Sequence, residues 1–176
     1  QDGLDIGVKN SPPQSRVDFP RMIEGGLDAI FFAAFTGQRK RTPENTEKAY
    51  SLAHQMIDRT YQVCEKYSNM AEVATKSSDV IRLEKEGKRA IYIGMENGFP
   101  IGMQIDRVNE FYDRGVRYIT LCHSSNNDIC DSSTDKKGPE YKAGLRAGDK
   151  IVKLNGKPFY CTWQKFIKEI NLRLVV

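Results

Sequence analysis

Three short, almost unbroken apolar runs constrain this chain more than any other feature: 27–35 (LDAIFFAAF), 90–95 (AIYIGM) and 117–122 (RYITLC). A strand with one wet face alternates apolar and polar residues. A strand without that alternation is buried on both faces, as in a parallel sheet. Gly25-Gly26 precede the first run and Gly37 follows it, while helical patterns rather than hairpin turns separate the three. The order strand, helix, strand, helix, strand calls for right-handed parallel crossovers, so the sequence predicts an α/β fold.

The helical patterns carry their own punctuation. Thr42-Pro43-Glu44 reads as an N-cap, a proline at the first helical position and an acid in the first turn. The helix it opens places Ala49, Leu52, Ala53, Met56, Ile57, Thr60, Tyr61, Cys64 and Tyr67 on one apolar stripe. His54 falls off the middle of that stripe, as an ordinary surface or partly buried residue would. Ser77-Ser78-Asp79 is expected to cap a second helix over 80–86, closed by Gly87. Ile101, Ile105, Val108, Phe111 and Tyr112 are expected to line one side of a third helix that stops at Gly115. Residues 2–20, rich in Gly, Pro, Ser and Asp, read as a loop lying on the rest.

Composition narrows the class. The chain has 176 residues, of which 39% are hydrophobic and 28% charged, the balance of a globular domain rather than a disordered chain. No run approaches the roughly 18 apolar residues of a membrane-spanning helix. No basic-then-apolar leader stands at Gln1, so no targeting segment is expected within this sequence. A net charge of +4 is too small to imply nucleic acid. The only histidines are His54 and His123, so this chain alone cannot build a metal site of several imidazoles. Residues 1–135 carry a net −3 and residues 136–176 a net +7. That shift fits two pieces meeting near 136–142, or a solvated basic face. Cys64, Cys122, Cys130 and Cys161 show no CxxC spacing; Cys64 and Cys122 read as buried thiols, and the redox compartment stays open.

Polar residues gather where the expected strands end: Thr36 and Gln38, then Glu96 and Asn97, then His123, Ser124, Ser125, Asn126 and Asn127. In parallel α/β folds the loops beyond the carboxyl ends of the strands form the active face. Glu96, directly after an apolar strand, is either a metal ligand or general base, or an acid capping the next helix. His123 is either functional or a satisfied polar residue.

The segments VDFPRMIEGGLDAIFFAAF (17–35), AIYIGMENG (90–98) and FYDRGVRYITLCHSSNNDICDSS (111–133) carry a family likeness. Over about residues 2–142 the chain resembles the renal or membrane dipeptidases, the zinc-dependent M19 peptidases. The resemblance implies a partial (β/α)8 TIM barrel of the metal-dependent hydrolase type, with two zinc ions at the carboxyl ends of the strands. It also implies an enzyme that hydrolyses dipeptides by a metal-activated water. Carried across, Glu96 in GMENG matches the glutamate that bridges the two metals. His123 in TLCH matches the histidine that lies over the substrate and helps polarise its carbonyl. Asp131 and Asn126-Asn127 fall in a family-like loop with no chemistry assigned. The family's first-strand His-x-Asp pair would lie before Gln1, and its later ligands belong to strands beyond the third. The chain therefore reads as a partial copy whose activity alone is negligible. By the same likeness it is exported, in the cell envelope or periplasm of a bacterium.

From Ala143 the sequence AGLRAGDKIVKLNGKPFYCTWQKFIKEI resembles the second half of a bacterial-type PDZ domain. The expected domains are thus 1–142, a partial dipeptidase barrel, and 143–176, a PDZ-like piece. In that piece 151–154 is a strand and Asn155-Gly156 a turn, with Trp163, Phe166, Ile167 and Ile170 on a helix beside a peptide groove. Such a groove would take a peptide C-terminus by strand addition, or the tail is a small packed appendage. A dipeptide substrate and such a peptide are the partners expected, with no nucleic acid and no transmembrane segment.

Overall fold

In the computed structural model, residues 4–11 and 14–132 are described, together with the backbone of 153, 154, 157 and 158. In chain order these form α1 (Phe19–Glu24), β1 (Ala29–Phe35), α2 (Pro43–Lys66), β2 (Ala71–Val73), α3 (Asp79–Lys85), β3 (Arg89–Glu96), α4 (Arg107–Asp113) and β4 (Val116–Ile119). The chain divides into two units, Gln1–Gly138 and Pro139–Val176. In the second, β5 (Lys153–Leu154) and β6 (Lys157–Pro158) pair antiparallel. The rest of the PDZ-like reading, including Trp163 and its helix, lies outside the described residues.

β3 is the centre of the first unit. β1 runs parallel along one side of it, in register from Ala29↔Ala90 to Phe35↔Glu96. Its other side is shared: β2 pairs with its first half (Ala71↔Arg89 to Val73↔Ile91) and β4 with its second (Ile93↔Val116 to Met95↔Ile119), both parallel. The fold is therefore the parallel α/β sheet the unalternated runs demand. A right-handed twist and helical crossovers follow from that connectivity.

The period of two sends alternate strand residues to opposite faces. One face packs on α2: Ala34, Ile93 and Met95 bury against Ala53 and Ile57 of that helix, with Ile101, Phe111 and Val116 completing the cluster. A second cluster, with Phe19, Met22, Cys64, Ala71 and Ile91, seats α1 beside the start of α2's last turns. Burial also pushes the Cys64 thiol up to about 12. The opposite face carries Phe31, Tyr92 and Tyr118 in ring contact (5.2 and 5.0 Å from Phe31), then Phe35 and Glu96 at the strand ends. Leu83 of α3 covers the lower end of this face with Ala74 and Ala90. Higher up, Phe31 and Phe35 remain 46% and 39% exposed, unusual for a parallel sheet.

Local chemistry explains most boundaries. Thr42 Oγ1 accepts from Asn45 N–H (3.3 Å) and Pro43 opens α2, as expected. His54 is partly buried beside the α2 stripe. Four expectations need correction. Residues 2–20 are not all loop: Asp18 caps α1, accepting from Arg21 N–H (2.9 Å), so Phe19 and Met22 fold inward. Ser78 makes no side-chain cap; instead the Asp79 carboxylate folds back to accept from Thr75 and Lys76 N–H (2.9 and 2.8 Å). The expected 101–112 helix is broken: a 3-10 turn over Phe99–Ile101 ends at Gly102, whose φ of +55° L-residues rarely adopt, and α4 starts only at Arg107. Ile105 and Tyr112 consequently stay exposed. Finally, β4 stops at Ile119, and Cys122 lies half-buried beyond the strand rather than inside it.

Candidate functional site

The carboxyl ends of β1, β3 and β4 meet at one rim. Glu96 is the last residue of β3, level with Phe35 of β1, and His123 follows four residues after the end of β4. Both side chains face a depression of about 420 Å3 lined by Glu96, Tyr118, Thr120, Cys122, His123 and Ser124. Glu96 Oε1 stands 3.7 Å from His123 Nε2, and both groups are open to solvent. The His123 ring rests edge-on against Phe35 (centroids 5.3 Å) and its Nδ1 lies 3.3 Å from Ser124 Oγ. The sequence thus identifies the two residues that the fold brings together. A larger hollow of about 600 Å3, beside Tyr50 and Arg107, lies on a different part of the surface and contains neither.

Tyr118 forms the floor. It pairs with Gly94, and its ring lies so close that a Cβ on Gly94 would sit 2.1 Å from it. Only glycine leaves room for the ring at this level of the sheet. Burial and the nearby Glu96 charge both raise the Tyr118 phenol, keeping it protonated beside the carboxylate.

A buried amide pair holds the rim. Asn97 is fully buried with φ +75°, a conformation in which Asn is the most tolerant residue after Gly. Its Nδ2 donates to Thr36 O (2.9 Å) and Gln38 Oε1 (3.3 Å), and its backbone N–H donates to Thr120 Oγ1 (2.8 Å). Its Oδ1 accepts from Phe99 N–H and from Asn127 Nδ2, each at 3.2 Å. Asn127 Nδ2 also donates to Leu121 O (2.7 Å), and its Oδ1 accepts from Ile129 and Cys130 N–H (2.9 and 3.1 Å). One pair of side chains therefore ties together the ends of β1 and β3 and the loop beyond β4. Beyond His123 the same loop closes on itself: Asn126 Oδ1 accepts from Ser132 N–H (2.7 Å) and Ser132 Oγ donates to His123 O (3.2 Å). The sequence puts Asn97, Asn126 and Asn127 at the strand ends without a role for them, and only Asn97, next to Gly98, carries a local signal of a turn.

What could the rim do? A carboxylate and an imidazole on a concave face can hold a cation, move a proton or polarise a carbonyl. Among the described residues, however, no three His, Cys, Asp or Glu side chains gather into a metal-holding group. Glu96 offers one carboxylate, whereas zinc sites ordinarily use three or four protein donors. The described residues do not make up a complete two-zinc centre. Nor is any described helix long and apolar enough to cross a membrane.

Comparison with known proteins gives this rim a context. The family model for membrane dipeptidases, Peptidase family M19, matches residues 4–157, running beyond residue 142 into the stretch read as PDZ-like. Curated relatives include the dipeptidase tcpJ of Claviceps purpurea, 28% identical over 143 residues, covering 79% of this chain and 34% of the relative. Another, the dipeptidase verJ of Clonostachys rogersoniana, is 31% identical over 145 residues, covering 79% of this chain and 37% of the relative. The chain spans about a third of the length of the curated relatives it matches. Among solved structures, the probable dipeptidase PvdM of Pseudomonas aeruginosa superposes with a TM-score of 0.65 at 27% identity, covering 72% of this chain and 32% of that one. A metallo peptidase from Rhodobacter sphaeroides shares the fold at a TM-score of 0.58 and 20% identity, over 68% of this chain and 39% of that one.

Proposed function

Because this chain belongs to the membrane dipeptidase family, Peptidase family M19, we propose that it carries one side of a zinc-dependent dipeptidase site. Glu96 is the carboxylate that would help hold the zinc. When bound, the zinc supplies an acidified water as nucleophile. His123 is the imidazole that lies over the dipeptide and donates to its carbonyl oxygen as negative charge develops there. The observation that carries this reading is their placement: both stand on the strand-end rim of a parallel sheet, 3.7 Å apart, across a depression floored by Tyr118. The remaining donors that zinc needs are not gathered among the described residues. On this reading the described residues do not suffice for turnover by themselves, and the sheet corresponds to part of a TIM barrel. On the same reading the protein works outside the cytoplasm, in the cell envelope.

Hydrolysis of glycine-containing dipeptides with added Zn2+ tests whether the donors present suffice. The expected result is no release of free amino acid above buffer; turnover that Glu96→Gln abolishes would overturn the insufficiency of the donor set. A second reading gives the tail a role of its own, resting on the sequence likeness of 143–176 to half of a PDZ domain and on an antiparallel β5–β6 pair within it. There, 143–176 binds peptide C-termini while the sheet is scaffold. Equal affinity for free-acid and amidated peptides would count against it.

A further inference from the structure

Three side chains on one stripe of α2, spaced four and three residues apart, grip the corner where α4 turns into β4. His54 Nδ1 contacts Arg114 Nη1, Asp58 Oδ1 accepts from Arg114 Nη2, and Tyr61 Oη donates to Arg114 O (3.1 Å). Arg114 closes α4, and Gly115 follows with φ +93°, the left-handed geometry that lets the chain reverse into β4.

The chemistry of the first contact is asymmetric. A guanidinium only donates and does not lose its proton in proteins. His54 Nδ1 must therefore accept, which places the proton of the neutral ring on Nε2. That atom is buried, 3.2 Å from Glu110 Oε1 but with no hydrogen bond of good geometry among the described residues. Glu110 Oε1 is instead taken by Tyr50 Oη (2.5 Å). The ring is fixed by Phe111, stacked at 5.0 Å, and by Tyr50, edge-on at 4.4 Å, leaving the side chain 16% exposed.

We propose that His54 is a proton-operated latch: neutral, it accepts from Arg114 and holds the α4–β4 corner on α2; protonated, it loses that bond and the corner loosens. The charged and titratable groups facing it are Asp58 and Tyr50 from α2, Arg107 and Glu110 from α4, and Arg114 at the corner. Burial first, and the Arg114 charge second, hold the His54 pKa below the usual 6.5 against the pull of Glu110 and Asp58. The open corner thus binds protons more readily than the closed one, and opening is favoured as pH falls below 6.5. β4 begins two residues after Arg114 and runs toward His123, so the latch acts on the strand leading to the rim. This inference is independent of the dipeptidase reading.

Amide hydrogen exchange on the whole chain tests it. The Arg114 and Gly115 amides donate to Glu110 O and Tyr112 O. Their protection, corrected for intrinsic rates and taken relative to β3 amides, is expected to fall at least ~3-fold between about pH 7.5 and about pH 5. His54→Asn puts an amide oxygen where Nδ1 stands and cannot titrate, so its protection ratio should stay flat with pH. An unchanged ratio in the native chain, or the same loss in His54→Asn, overturns the latch. Should His54→Asn not fold, the ring proton resonances of the native chain decide, since only His54 and His123 contribute. A His54 midpoint at or above 6.5 refutes the latch, and one below 6.5 supports it when the native chain also loses Arg114 and Gly115 protection as pH falls.

Discussion

Replacing Asn97 should cost more than any other single change at the rim, and the pattern across two substitutions identifies why. Asn97 is fully buried and joins Thr36 O, Gln38 Oε1, Phe99 N–H and Asn127 Nδ2 through its side-chain amide. Asn97→Ala strips the 2.9 Å partner from Thr36 O and the shared acceptor from Asn127 and Phe99. A buried group left without a partner costs about 1–3 kcal/mol, so the lost amide amounts to roughly 2 kcal/mol or more. A Cβ at φ +75° adds strain of about 1 kcal/mol that Asn tolerates better than Ala. The expected total is about 3 kcal/mol of unfolding free energy, read from urea denaturation followed by circular dichroism. Asn97→Gly removes the strain but not the lost bonds, and should recover about 1 kcal/mol relative to Asn97→Ala. A loss below about 1 kcal/mol for Asn97→Ala, or Gly no better than Ala, would refute the account of this residue as a strained, fully bonded tie.

Two further outcomes follow from single sites. Gly94→Ala drives a Cβ to within 2.1 Å of the Tyr118 ring, so it should cost about 1–3 kcal/mol by overpacking, and Tyr118→Ala should make it nearly neutral; a full cost in the double variant contradicts the contact. The buried Asp18 carboxylate accepts from Arg21 Nε and from Asn10 and Arg21 N–H, and chiefly the Arg21 bond, working against burial, holds its pKa at about 2. Being depressed from 3.8, its contribution is present above about pH 4 and fades as pH falls through about 2; the stability gap between native chain and Asp18→Asn should shrink over that window, and a gap unchanged with pH contradicts it.

How much of this was readable in advance depended on the range of the interactions. β1, α2 and β3 were legible because their signals are local: unalternated apolar runs, and Thr42-Pro43 ahead of a stripe whose Ala53 and Ile57 are fully buried. α1 and β2, of six and three residues, are too short for periodicity to register. They exist because Asp18 caps one and because β3 offers a free edge to the other. The break at Gly102 was hidden by apolar residues on both sides of it. At the rim, the positions of Glu96 and His123 were legible because each directly follows an apolar run, and parallel strands end on one side of the sheet. Asn97 could not be given its role, since its partners come from residues 36, 38, 99 and 127 and only the fold assembles them.

The claim most open to direct test is that the donors gathered among the described residues, Glu96 included, are too few to hold a two-zinc centre. Zinc retained per chain after dialysis against buffered micromolar Zn2+, measured by plasma emission on the native protein and Glu96→Gln, tests it most directly. The account predicts well below one equivalent in both. Two equivalents held by the native chain and lost with Glu96→Gln would contradict it.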